Sequence, residues 1–198
     1  DLDVSGTGLV TGVLTTTAAA VFNGGFTSNA DTNTFTSGNA SDPLVIIKNT
    51  ANDASGARLS FQKDKGANAA DGDDIGTITF IGDNNAQEQT NFGSIVVEVS
   101  ESQDTDEAGK MSFFVAESNG SASQLTAGLI IEGEHATDGE VDVTIAAGTA
   151  STTTVAGDLA VTTDATVGGT ALVTGVLTTT AATVFNGGFA ANDGSTIT

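Results

Sequence analysis

The chain lacks several residue types, and each absence excludes a class of structure or chemistry. Cysteine, tryptophan and tyrosine are missing, and proline, methionine and histidine occur once each. Without cysteine the chain forms no disulfide and offers no thiolate to a metal ion. Without tryptophan and tyrosine it has none of the aromatic platforms that usually line a glycosidase cleft, so the many carboxylates do not indicate a glycosidase pair.

Positive charge is also scarce. Five Lys and Arg residues stand against 25 Asp and Glu residues, and the formal net charge is -20. A chain this acidic repels nucleic acid and anionic membranes. No stretch approaches the roughly 20 apolar residues of a membrane-spanning helix. We therefore expect no nucleic-acid partner and no membrane insertion, and we expect the few basic side chains to pair with neighbouring acids.

The most informative feature that is present is a near-exact repeat of the beginning of the chain at its end. Residues 9–26 read LVTGVLTTTAAAVFNGGF, and residues 172–189 read LVTGVLTTTAATVFNGGF. The two copies differ only where Ala20 is replaced by Thr183. Internal repetition of this kind is typical of proteins built from repeated structural units. Because the chain has no initiator Met and starts and stops inside a repeat, we expect it to be a segment of a longer protein.

Both ends predict a fibrous shaft, an N-terminal one over residues 1–42 and a C-terminal one over residues 146–198. Val and Leu alternate there with small or polar residues, and glycine interrupts each short run. Strands this short do not hold a sheet alone. Their neighbours come either from the same chain, as in a β-solenoid, or from two further copies, as in a triple β-helix. The shaft phenylalanines are expected to plug the axis: Phe22, Phe26, Phe185 and Phe189.

The middle of the chain, residues 43–145, predicts an antiparallel, β-sandwich-like bead. Seven strands separated by Asp-, Asn- and Gly-rich turns are expected, at residues 44–48, 58–62, 76–81, 94–100, 110–116, 128–132 and 141–145. Alternation places Ile78 and Phe80 on one face and Thr77 and Thr79 on the other. The predicted fold class is therefore all-β, an elongated fibre in which short-strand shafts flank a bead.

Part of the bead resembles a known family. Residues 58–61 read RLSF, residues 71–83 read DGDDIGTITFIGD, and residues 107–113 read EAGKMSF. With the flanking shaft runs, this pattern resembles a β-rich module of marine bacteriophage tail fibres. The resemblance implies an elongated homotrimeric virion fibre. A separate receptor-binding tip and a self-cleaving chaperone domain, which are common in such fibres, are not found in this sequence.

Candidate sites for chemistry are few. The single histidine, His135, is expected to be a solvated loop residue, and no G-x-S-x-G nucleophile motif or G-x-x-x-x-G-K-[ST] phosphate loop occurs. We therefore predict no catalytic residue, no cofactor site and no enzymatic activity. The acidic turn formed by Asp71, Asp73 and Asp74 leaves two alternatives, a calcium site or a turn stabilised by its own side chains.

Three hypotheses for function follow. The first is a structural protein of a bacteriophage tail or virion appendage, a homotrimer that contacts neighbouring virion proteins and supports host attachment. The second is a repeat unit of a bacterial extracellular filament or cell-surface adhesin, assembled by strand exchange. The third is a bead, residues 43–145, that binds a host-surface glycan.

Overall fold

The computed structural model describes residues 8, 10–16, 19–23, 25–118, 120, 122–134, 139–146 and 148–180. The chain divides into two units, Asp1–Gln62 and Lys63–Thr198. Regular secondary structure in the described residues is entirely β, and it lies in the second unit. No helix that could cross a membrane is found in the part of the chain that the structure describes.

The described residues of the first unit form turns but no strand. Polar side chains shape these turns by accepting hydrogen bonds from backbone N–H groups two residues ahead. The Oδ1 atom of Asn49 accepts from the N–H of Ala51 at 2.8 Å, and that of Asp53 accepts from the N–H of Ser55 at 2.8 Å. The rings of Phe22 and Phe26 lie with their centroids 5.6 Å apart, and both rings are exposed.

Two predicted strands are wrong. Residues 44–48 and 58–62 have the apolar and β-branched composition of strands, but the structure gives them no strand pairing. An extended segment becomes a strand only when a partner satisfies its N–H and C=O groups, and the described residues of the first unit supply no such partner. Their apolar side chains remain exposed, including Leu44, Ile46 and Phe61.

The second unit contains one open sheet of five antiparallel strands in the order of the chain. The strands are β1 (Asp74–Asp83), β2 (Gln89–Glu101), β3 (Ala108–Ser118), β4 (Ser123–Gly133) and β5 (Val141–Ile145). The five predicted strands from residue 76 onward are thus confirmed, as is their antiparallel pairing. The second layer that a sandwich requires is not found among the described residues.

Local polar groups set the hairpin between β1 and β2. The side-chain oxygen of Asn84 accepts hydrogen bonds from the N–H groups of Ala86 at 2.8 Å and Glu88 at 3.0 Å. The N–H of Asn84 donates to the carbonyl of Glu88 at 3.0 Å, and Gln87 adopts a left-handed conformation with φ 62°. The connection is short because one side chain satisfies two backbone donors of the turn.

The described parts of the predicted shafts contain no regular secondary structure. Residues 148–180 are irregular apart from bends and turns, and the side chains of Val173 and Leu177 are exposed. Phe185 and Phe189 lie outside the described residues, as does His135. The solenoid and triple-β-helix alternatives both stay predictions.

Candidate interaction surface

One face of the sheet is apolar across all five strands. The register places Ile78 opposite Ile95, Ile95 opposite Phe113, Phe113 opposite Leu129, and Leu129 opposite Ile145. We call these five residues the first row. Because side chains directly opposite each other in an antiparallel pair project from the same face, the first row forms a continuous apolar band.

A second row lies beside the first, two residues along each strand. It consists of Gly76, Val97, Met111, Ile131 and Val143, which are also register partners. Neither row contains a polar or charged side chain. We call the surface that the two rows form the apolar face. The predicted alternation of Ile78 and Phe80 against Thr77 and Thr79 is confirmed by this register.

Within the second unit, no described residue forms a layer over the apolar face. No apolar side chain of the described chain is buried, and the only buried residues are Ser94 and Ser112, on the other face. Met111 is 39% exposed, Val143 56% and Ile145 59%. The described residues of the second unit therefore have no buried apolar core of their own.

The opposite face, which we call the polar face, carries charge and hydroxyl groups together with the apolar side chains of Val96, Phe114 and Ile130. Glu98, Lys110, Glu132 and Asp142 follow one another across β2 to β5 in register. The Lys110 Nζ atom lies 3.2 Å from the Glu98 Oε2 atom, and the Ser100 hydroxyl donates to Glu132. The ammonium group of Lys110 thus pairs with Glu98, which is one of several carboxylates in this row. The polar face therefore mixes charged and apolar side chains and holds the two buried serines, whereas the two rows of the apolar face carry no polar side chain.

A shallow depression interrupts the apolar face at one end. Phe80 is the register partner of Gly93, and a Cβ atom at Gly93 would lie 3.9 Å from the Phe80 ring and only 3.2 Å from the carbonyl oxygen of Phe114. The register shift after Phe80 makes Phe92 the extra residue of a β-bulge. An aromatic ring beside a strand glycine covers backbone that would otherwise be open to water.

The acidic turn precedes β1 and is fastened to the end of β2. The N–H of Gly72 donates to the Val99 carbonyl at 2.8 Å, and the N–H of Val99 donates to the Asp73 carbonyl at 2.9 Å. The Oδ1 atom of Asp71 accepts from both the N–H and the hydroxyl of Ser102, at 3.0 and 2.8 Å. These contacts fasten the acidic turn to the end of β2 and continue the hydrogen bonding between β1 and β2.

The side chain of Asp73 has its own partners, which precede the acidic turn in the chain. Its Oδ2 atom accepts from Lys65 Nζ at 2.7 Å and from the N–H of Ala70 at 2.9 Å. The hydrogen bond from Lys65, followed by that from Ala70, lowers the pKa of Asp73 below its ordinary value of 3.8. The third predicted ligand, Asp74, is the first residue of β1 and the register partner of Glu98.

The three residues of the predicted calcium site therefore adjoin one another, but each belongs to a different contact. Among the described residues, no three His, Asp or Glu side chains form a group that could hold a metal ion. The hydrogen bond that Asp73 accepts from Ala70 is local, as the turn alternative expects, whereas Asp71 accepts from Ser102, 31 residues away. Occupation of the turn by calcium stays a prediction to be tested in solution.

Two features of the candidate sites were not predicted from the sequence. Ser102 lies 31 residues from Asp71, and no local pattern links the two. The apolar face was visible strand by strand, as alternation, but its continuity depends on pairing register, including the bulge that places Phe114 opposite Ala127. A search for apolar residues at matching offsets in successive predicted strands is the one signal that could have found it.

No protein-family model matches the chain, and no curated protein matches it at a significant level.

Proposed function

We propose that the chain is a structural segment of an elongated fibre, of the kind found in a bacteriophage tail or virion appendage, and that it works as a homotrimer. The observation that carries the proposal is the uncovered apolar face of the sheet. A contiguous exposed apolar surface that crosses all five strands of a sheet is typical of a protein–protein interface. The fibre therefore obtains its core between chains, by apolar burial of about 25 cal/mol per Å².

The end segments support the same proposal. Val173, Val176 and Leu177 are exposed in the single chain, as are Val13 and Leu14 in the other copy of the repeat. These residues stand among Gly and Thr in both copies, in runs too short to hold a sheet without partners. Either a triple β-helix or a solenoid would bury them. The task of such a protein is mechanical, because it spans distance and presents host-contacting surface elsewhere.

The proposal is tested on the purified chain by light scattering and electron microscopy. We expect a native mass of three chains and rod-shaped particles. A compact, cooperatively folding monomer would overturn the proposal, since a monomer leaves the apolar face in water. Immunogold labelling of intact virions would then separate a virion location from an extracellular one.

A second candidate function is a repeat unit of an extracellular filament or cell-surface adhesin. The observation that favours it is that β1 and β5 are edge strands, each with one side that no described strand pairs. Open edges allow strand addition between subunits. Strand exchange without closure gives a ladder of open-ended polymers, whereas the fibre proposal gives one discrete trimer, so the mass distribution distinguishes them.

A further inference from the structure

We propose that Asp71 and Gly72 form a latent isoaspartate site, which the contacts of the acidic turn keep unreactive in the folded chain and which unfolding makes reactive. The inference assigns a covalent modification to this residue pair and a protective role to Ser102. It concerns contacts within one chain, so it is independent of the proposed function and of the number of chains in the assembly.

An aspartate that is followed by glycine is prone to rearrangement, because glycine has no side chain to hinder the approach of its nitrogen. The Gly72 nitrogen attacks the Cγ atom of the Asp71 carboxylic acid. The Cγ–OH bond breaks, the hydroxyl leaves with the N–H proton as water, and a five-membered succinimide forms. Water then adds to one of the two ring carbonyls. Opening of the bond from nitrogen to Cγ restores aspartate, whereas opening of the original peptide bond gives isoaspartate.

The first requirement of this reaction is a Gly72 nitrogen that can approach the side chain of Asp71. In the folded chain the N–H of Gly72 donates to the Val99 carbonyl at 2.8 Å, and the N–H of Val99 donates to the Asp73 carbonyl at 2.9 Å. One residue of β2 thus holds the backbone on both sides of Gly72. The nitrogen reacts only after these two hydrogen bonds have opened.

The second requirement is an Asp71 carboxyl group that can turn towards that nitrogen. Its Oδ1 atom accepts hydrogen bonds from the N–H of Ser102 at 3.0 Å and from the hydroxyl of Ser102 at 2.8 Å. Ser102 is itself held in place, because its N–H also donates to the Oε1 atom of Glu101 at 2.9 Å. Ring closure moves the carboxyl group away from Ser102, so both contacts to Oδ1 oppose it.

The glycine that makes Asp71 vulnerable is required by the turn. Gly72 has a φ of 80°, in the left-handed region that residues with a side chain rarely adopt. A larger residue would hinder the succinimide but would strain the backbone at this position. Protection of Asp71 therefore has to come from contacts with other parts of the chain, and Ser102, 31 residues away, supplies them.

Isoaspartate at residue 71 would have a lasting effect on the acidic turn. The main chain would then run through the Asp71 side chain and gain one carbon atom, and the former main-chain carbonyl group would become a free carboxylate. A backbone lengthened by one atom does not keep both hydrogen bonds to Val99 in their present register. A chain that isomerises while unfolded would therefore refold without this attachment to β2, which makes the loss irreversible.

The test follows isoaspartate at residue 71 in the full chain, incubated at one temperature and neutral pH in native buffer and in denaturant. Electron-transfer fragmentation of the tryptic peptide 66–110 locates isoaspartate residue by residue. We expect formation in native buffer to be slower by at least about tenfold, because the reactive state requires local opening. Ser102→Ala should raise the native rate at least about threefold by removing the hydroxyl donor. The matched control is Ser100→Ala, which removes the hydroxyl that donates to Glu132 and should leave the rate unchanged.

The outcomes decide each part of the inference. Equal rates in native buffer and in denaturant would overturn the protection, and no isoaspartate at residue 71 in denaturant would overturn the site. Equal native rates in Ser102→Ala and Ser100→Ala, with both variants incubated well below their melting temperatures, would overturn the role of Ser102. Because the first comparison uses the unmodified chain, it is decisive even if Ser102→Ala does not fold.

Discussion

Ile95 and Phe113 are register partners on two inner strands of the sheet, and neither is buried. In a sheet that formed part of a monomeric core, this pair would be the most deeply enclosed contact. Here the strands on either side complete the row, but the described residues of this unit form no second layer over it. Substitutions at Ile95 and Phe113 therefore test most directly what the sheet packs against.

We expect Ile95→Asp to abolish assembly. Placing an unpaired carboxylate in an apolar interface costs several kcal/mol, which weakens association about a thousand-fold or more. Thr79→Asp adds the same charge on the polar face and should leave the native mass unchanged. Light scattering of the two variants at equal concentration is the measurement, and equal behaviour of both would contradict the assignment of the interface.

The shafts lead to a separate prediction. Val173→Asp and Leu177→Asp should each prevent assembly of the C-terminal shaft, because both side chains belong to the alternating apolar series that is expected to face the axis. Thr174→Asp, one residue away in the same run, is the matched control. Rods of normal length in electron micrographs of the first two variants would refute the axial placement of these side chains.

Gly72 should resist substitution more than a glycine of ordinary conformation. Its φ of 80° lies in the left-handed region, where a side chain costs about 1–2 kcal/mol. Gly72→Ala should therefore lower the free energy of unfolding by about that amount and loosen the contact to Val99. Gly128→Ala is the control, since a Cβ atom there meets nothing within 4 Å. Thermal melts at a fixed protein concentration compare the two, and equal losses would count against the strain argument.

The acidic turn should contribute a pH-dependent part of stability. The pKa of Asp73 is lowered in the folded chain, chiefly by Lys65. A carboxyl with a depressed folded pKa stabilises the fold fully above its unfolded value of about 3.8, and the contribution is lost as the pH falls through the folded value. Lys65→Met should move the pKa of Asp73 upward, as measured by NMR titration. Lys63→Met, which removes a weaker and purely coulombic effect, should move it less.

Calcium distinguishes the two explanations of Asp71, Asp73 and Asp74. Because Asp71 and Asp73 already accept hydrogen bonds from Ser102, Lys65 and Ala70, we expect the melting temperature to stay the same in millimolar calcium and in chelator. A bound ion at a hundred times its dissociation constant would add about 2.7 kcal/mol. A higher melting temperature in calcium that corresponds to a stabilisation of that size, and that is lost in Asp74→Asn, would establish the calcium site instead.

The five strands were predictable because their information is local. Alternation in runs such as Ile78–Phe80 or Ile95–Val97–Val99 states which side chains share a face, and turn residues such as Asn84 mark where the chain reverses. The same local information was misleading at residues 44–48 and 58–62. Composition reports the tendency of a segment to be extended, whereas a strand also requires a partner for its backbone.

The sequence by itself determined the all-β class, the alternation within each strand and the repeated ends, since all three are written in residue spacing and composition. Only the tertiary structure decided that the strands form one open meander, that five residues align in each apolar row, and that Asp71 accepts hydrogen bonds from Ser102. These features depend on register and on contacts between residues far apart in the chain, where a shift of one position would send every side chain to the opposite face.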